Sequence, residues 1–371
     1  MHYINIMNSL KSVSPRTQLA SYTPGQEINF ELTHDGEALV PRTVCLTGRL
    51  VITGQTLGDS QYYDPQIGVA GFMENVVSRS DLFQEVITNY SRLVKIRNSA
   101  TMSQDSQCMG LKNTSELCTP HVNHTNLVIA NCPAVAPAGG RVGQPFAHMF
   151  VNALNNMSGA LDYAKSGRIT LSFKLPSAQK VFFGADAGGM GYSMTDLELH
   201  YMTTPQGAAS VAIDIVEDTQ KLIQTTNTTI QNTFINPVDR VLVSFAPTDA
   251  EQEPTQNAMV CVNPQIQKMS WVYNDQSNAL VAYEIESIEE QILSGYSVFD
   301  AMNVGMDLKE KLSLLLQDPV HCISDKFIVG LRLGQLMDFS RTGLGLNVRI
   351  PTLGANTYYA YFYGLGQRVL F

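Results

Sequence analysis

The chain has 371 residues, 44% of them apolar and only 15% charged, with a formal net charge of −9. That length allows one large domain or two of ordinary size. A charge content well below the usual quarter of residues fits a protein that buries its exterior against copies of itself or neighbours, and fits a freely diffusing enzyme less well; a secreted β-protein with a neutral polar surface is the alternative.

No Lys/Arg cluster is present, which argues against direct, sequence-specific nucleic-acid binding. No window approaches the roughly 20 apolar residues of a membrane span. The opening "MHYINIMNSLKSVSP" lacks the charged and apolar regions of a signal peptide. A soluble protein folded in a cytosol-like compartment is expected. Six cysteines, Cys45, Cys108, Cys118, Cys132, Cys261 and Cys322, are spread too thinly for a disulfide scaffold. Cys45 and Cys261 lie in apolar runs, where a thiol behaves as a small buried hydrophobe.

In chain order, β-signals dominate. The first 20 residues are weakly patterned and read as an arm. Strands are predicted at 26–32, 43–54, 72–80, 92–98, 126–131, 146–152, 168–175 and 196–204, separated by Gly/Pro-rich turns such as "CPAVAPAGGRVGQP" and "GADAGGMG". Residues 205–235 read as a connection. Strand signals resume at 240–247, 258–263, 266–274, 326–336, 344–350 and 356–365. A helical insertion interrupts them at about 284–318, where Ile285, Ile288 and Ile292 and then Leu308, Leu312, Leu315 and Leu316 recur at helical spacing. Asp307 is placed to cap the second of these runs.

One pattern recurs. "ITLSFKLP" (169–176) and "LGLNVRIP" (344–351) share alternating apolar positions, a basic residue and a closing proline, 175 residues apart. Each precedes a glycine-bearing loop and a last strand with aromatics, "TDLELHYMTT" and "NTYYAYFYGL". An alternating strand ending in proline is a cheap pattern, but the matched strand after it and the similar strand number on each side favour a duplicated β-sandwich. "VCLTGRL" and "RVLVSF" form a looser third pair.

This order of features, from "EINFEL…TVCLTGRLVITG" and "FMENVVSRSDLFQEVITNYSRLVKI" through "GRITLSFKLP…YSMTDLELHYMTT" to "VDRVLVSFAPTD…NPQIQKMSWVYNDQ" and "LRLGQLMDFSRTGLGLNVRI…NTYYAYFYG", resembles the double jelly-roll major capsid proteins of tailless icosahedral viruses. It is a likeness of pattern over almost the whole chain. It implies an all-β fold of two tandem eight-stranded antiparallel jelly-roll sandwiches, about 1–205 and 206–371, with a short helical insertion in the second. It further implies a structural virion protein that forms a homotrimer of pseudo-hexameric outline. The partners implied are neighbouring capsomers, minor capsid or penton proteins and, in many members, an internal membrane. A minor capsid, vertex or spike protein, and a carbohydrate-binding β-sandwich, are the rival readings.

Reactive chemistry is sparse. Cys118, His121, His124 and Cys132 could supply four metal ligands, but C-x2-H and H-x7-C match no zinc spacing, so a surface loop is the better reading. No Walker A loop, dinucleotide fingerprint, nucleophile elbow or H-E-x-x-H occurs. No catalytic residue, cofactor or metal is expected. The carboxylate pairs Glu289/Glu290 and Asp214/Glu217 read as solvated faces. Trp271 and the tyrosines Tyr358, Tyr359, Tyr361 and Tyr363 read as core or interface, since both faces of that last strand are bulky.

Overall fold

A computed structural model describes residues 8–32, 36–54, 61–64, 67–101, 142–274, 280–300, 327–351 and 357–371. Among the described residues, four two-residue strands (Ala38–Leu39, Tyr62–Tyr63, Leu161–Asp162 and Phe182–Phe183) add to the first half, and sixteen strands of four residues or more build four sheets. In the N-terminal half they are β1 (Ser9–Val13), β2 (Glu27–Leu32), β3 (Cys45–Thr53), β4 (Glu74–Arg79), β5 (Gln84–Ile87), β6 (Gln144–Met149), β7 (Ile169–Lys174) and β8 (Gly191–Thr204). In the C-terminal half they are β9 (Ala212–Ile223), β10 (Asn227–Asn232), β11 (Val238–Pro247), β12 (Lys268–Asn274), β13 (Leu280–Ile285), β14 (Ile328–Met337), β15 (Leu344–Arg349) and β16 (Tyr358–Val369).

All pairings are antiparallel. The first half forms β1-β8-β3-β6 and β2-β7-β4-β5, and the second forms β9-β16-β11-β14 and β10-β15-β12-β13. Adding eight to every strand number of the first pair of sheets gives the second. Two eight-stranded jelly rolls therefore follow one another in the chain. The echoed strands occupy the same place: β7 lies between β2 and β4, and β15 lies between β10 and β12. Their alternation does what the sequence implied, since Ile169, Leu171 and Phe173, like Leu344, Leu346 and Val348, are buried between sheets.

The duplication extends to a helix. Helix α1 (Tyr90–Thr101) follows β5, and α2 (Ile288–Asp300) follows β13, each after two intervening residues. The ladders fix the equivalence residue by residue. Leu171 pairs with Ser78 and Ser78 with Glu85; Leu346 pairs with Trp271 and Trp271 with Tyr283. Given the echo of Leu171 and Leu346, Glu85 corresponds to Tyr283, Ile87 to Ile285 and Tyr90 to Ile288.

Several sequence expectations fail here. Residues 92–98 are helix, not strand, so the helical feature belongs to both rolls and not only the second. The span 205–235 is no mere connection, because β9 and β10 fill most of it. The helical insertion begins at Ile288 and not 284, since Leu280–Ile285 is strand. No extended strand forms at 258–263. The strand expected at 126–131 and the helix expected from Asp307 through Leu316 lie outside the described residues.

Candidate functional site

The chemistry-bearing side chains collect where the two rolls meet. The β5 edge of the first roll packs on the β9 edge of the second. Strand alternation turns Glu85 and Ile87 inward, and Glu85 is fully buried. One Glu85 oxygen accepts from the Ala153 N–H (2.6 Å) and the other from the Val216 N–H of β9 (2.8 Å). Burial pushes this carboxyl up to about 8; the two N–H donors oppose the rise, and the nearby Asp214 and Asp218 charges reinforce it.

Two residues further along the strand, Asp218 of β9 reaches the start of α1. Its carboxylate accepts from the N–H groups of Thr88 (2.9 Å) and Asn89 (2.7 Å) and from Asn89 Nδ2 (3.0 Å). The second roll thus supplies the negative group that the N-terminus of the first roll's helix favours. Burial raises the Asp218 pKa, and the Thr88 and Asn89 donors hold it back. The Tyr363 hydroxyl of β16 donates to the Asn89 carbonyl (3.2 Å).

From α1, the buried Arg92 donates to the carbonyls of Val260 and Ala258, both at 2.6 Å, and its guanidinium lies 4.0 Å over the Tyr361 ring. Tyr361 in turn donates to Glu251 (2.7 Å). A buried guanidinium is tolerable when its donors are met by carbonyls and its face by an aromatic ring. Next along the helix, Lys95 and Asp64 form a buried ion pair at 2.7 Å, and Asn257 of the second roll donates to the same Asp64 oxygen. Below these, β9 continues the seam: Asp214 N–H donates to the Asn156 carbonyl and the Ser158 N–H to the Ala212 carbonyl. The arrangement is a clamp: Glu85, Asp218 and Arg92 each bond from one roll to the other, and Asn257 of the second roll reaches the Lys95–Asp64 pair of the first.

The sequence-singled residues divide as follows. Tyr361 and Tyr363 join the seam, while Trp271 is core. Cys261 is buried beside Arg92, and Cys45 is only half-buried. Glu289 and Glu290 are exposed on α2. Glu217 accepts from the backbone of Ile235 and Asn236, and so fixes a turn. Cys118, His121, His124 and Cys132 lie outside the described residues. Among the described residues no group of three or more His, Cys, Asp or Glu could hold a metal ion, and no helix is long and apolar enough to cross a membrane. Arg16, Arg79 and Arg168, distant in sequence, line one open depression, balanced by Asp81 and by Glu31, which bridges Arg16 and Arg168. Glu85, Arg92, Lys95 and Asp218 were not marked by the sequence reading. The signal available was the helical spacing of Tyr90, Leu93 and Val94.

No protein-family model and no curated protein sequence matches the chain. Solved structures do. The Faustovirus major capsid protein superposes with a TM-score of 0.61 at 9% identity, over 98% of this chain and 90% of that one. A chain of the Sputnik virophage structure gives 0.59 at 11% identity, over 98% and 86%. Across nearly its whole length, the chain has the double jelly-roll fold of these viral capsid structures.

Proposed function

We propose that the chain is a major capsid protein, assembling as pseudo-hexameric homotrimers that tile an icosahedral shell. The observation that carries this reading is the duplication itself. One chain holds two copies of the same strand-and-helix unit, locked edge to edge by a clamp of buried polar bonds. Such a rigid two-unit block suits a ring in which every junction is similar. Three blocks in a ring present six rolls, an outline that packs hexagonally, and head-to-tail contacts close such rings. The Faustovirus likeness supports the same reading. On it the domains are 1–205 and 206–371; in place of the arm expected at 1–20, Ser9–Val13 is strand β1 of the first roll, paired with β8. The partners are neighbouring capsomers, minor capsid or penton proteins and an internal viral membrane. The protein is made in the host cytoplasm and resides in the virion. Its role is structural and not enzymatic.

Light scattering after size-exclusion chromatography, with negative-stain imaging, tests this. Trimers of hexagonal outline are expected. A pentamer, or a monomer that binds glycans, would refute it.

A further inference from the structure

We infer that Lys95 and Asn257 join in an intramolecular isopeptide bond, with Asp64 carrying the protons, so that the two rolls become covalently tied. The starting point is a single carboxylate oxygen. Lys95 Nζ on α1 and Asn257 Nδ2 of the second roll both lie 2.7 Å from Asp64 Oδ2. The two nitrogens can therefore be no further apart than twice that distance, and the Asn257 amide carbon is one bond beyond.

An amide is a poor electrophile, so an amine attacks it only where the pair is held together, the carbonyl is polarised and water is kept out. All three conditions are met here. Arg92, one turn before Lys95 on α1, donates to the carbonyls of Ala258 and Val260, both at 2.6 Å. It thereby pins the segment that follows Asn257 against the helix that carries Lys95. The Met259 N–H donates to Asn257 Oδ1 at 2.9 Å, where negative charge develops as the carbon turns tetrahedral. The Lys95 and Asp64 side chains are only 1% and 6% exposed. The same Asp64 oxygen touches both the amine that must lose protons and the amide nitrogen that must gain one, which is the placement a proton carrier needs.

The step balances without any outside reagent. Asp64 takes a proton from the Lys95 ammonium, and the freed Nζ lone pair adds to Asn257 Cγ while the carbonyl electron pair moves onto Oδ1. Asp64 passes its proton to Nδ2 and accepts a second from Nζ. The carbonyl then re-forms, the Cγ–Nδ2 bond breaks and ammonia leaves. What remains is a neutral amide beside a neutral Asp64 carboxyl. Two buried charges have disappeared, and relief of their desolvation favours the product. The new bond constrains the chain as a disulfide would, but does not depend on an oxidising compartment.

Intact-mass spectrometry of the purified full-length protein tests this. The expected mass lies below that of the sequence by one ammonia per chain. A tryptic digest should lack cleavage after Lys95 and contain one branched peptide joining residue 95 to residue 257. Lys95→Arg, which keeps the charge but cannot be acylated, and Asn257→Ala, each checked for folding by circular dichroism, are expected to show the full sequence mass. A wild-type protein that keeps the full mass after prolonged incubation overturns the inference. So does an ammonia loss confined to one linear peptide, as when an asparagine closes to a succinimide. Both wild-type readouts stand even where a variant fails to fold, and neither depends on the trimer mass that tests the capsomer reading.

Discussion

Replacing Arg92 tests whether the clamp holds the rolls together. Truncation to Ala leaves the carbonyls of Val260 and Ala258 without the donors now 2.6 Å away, at about 1–3 kcal/mol each. It also removes the stack on Tyr361, worth up to about 2 kcal/mol when desolvated. Against these stands relief of a buried charge, itself several kcal/mol. The balance is a net loss of about 3 kcal/mol, at the low end for removing one partner of a buried charged contact. Arg92→Met fills the volume of the stem without the charge, and is expected to cost about half as much. The readout is amide exchange at Thr88, Asn89 and Val216, whose N–H groups donate across the seam. At tenfold per 1.4 kcal/mol, Arg92→Ala should speed these amides about a hundredfold, and Arg92→Met about tenfold. Unchanged exchange at all three, with a lowered melting temperature, would show that Arg92 serves packing within its own roll and not the seam.

Glu85 predicts a pH dependence. Its carboxyl titrates near 8 when folded and near 4.3 when unfolded, so the folded state keeps a proton that the unfolded chain has released. Stability therefore falls as pH rises from about 4.5 to about 8, by up to roughly 5 kcal/mol, and levels off above. Melting temperatures from pH 5 to 9 should show that slope in wild type and lose it in Glu85→Gln; parallel curves would refute the assignment. Gly366 is fixed by close approach: a Cβ there would stand 2.0 Å from the Pro237 carbonyl oxygen. Gly366→Ala is expected to cost about 3 kcal/mol and lower the second roll's melting by roughly 6–12 °C. A shift of less than about a degree would mean that the turn at Pro237 yields freely.

The parts of the fold legible in the sequence are those whose burial is decided within one roll. β7 and β15 alternate cleanly because each lies between two strands over one core, and they announced the duplication. β10 was passed over because only Ile230 and Asn232 of "NTTIQN" are buried, and an edge strand needs no stronger pattern. Helix α1 was misread for a more instructive reason. "RLVKIRN" places charges at Arg92, Lys95 and Arg97 between apolar residues, which reads as alternation. Arg92 and Lys95 are nonetheless buried, because partners from the second roll and from Asp64 meet them. No local window contains those partners. The seam is invisible for the same reason, since Glu85 and Asp218 read as ordinary surface carboxylates until each meets a donor on the other roll.

The two equivalent strand–helix pairs, β5–α1 and β13–α2, differ in what covers them. The first is covered as the chain folds, so it can commit Arg92 and Lys95 to burial with tethered partners, and Glu85 as a carboxyl that burial pushes up to about 8. Helix α1 can even leave the acceptor at its N-terminus to Asp218 of the other roll. The second stands in water in the chain itself. Its helix supplies its own cap: the Ser287 hydroxyl accepts from the Glu290 N–H (3.1 Å), and the Glu290 carboxylate accepts from the Ser287 N–H (3.4 Å), a reciprocal capping box. Where the first roll has Glu85 and Lys95, the second has Tyr283 and Leu293. Those side chains carry no charge to desolvate, and Glu289 beside them stays in solvent. A junction formed once within a chain can rely on fully paired buried charge. The same helix and strand have separated along that line in the two rolls, buried and bonded to polar partners in the first, exposed and self-capped in the second.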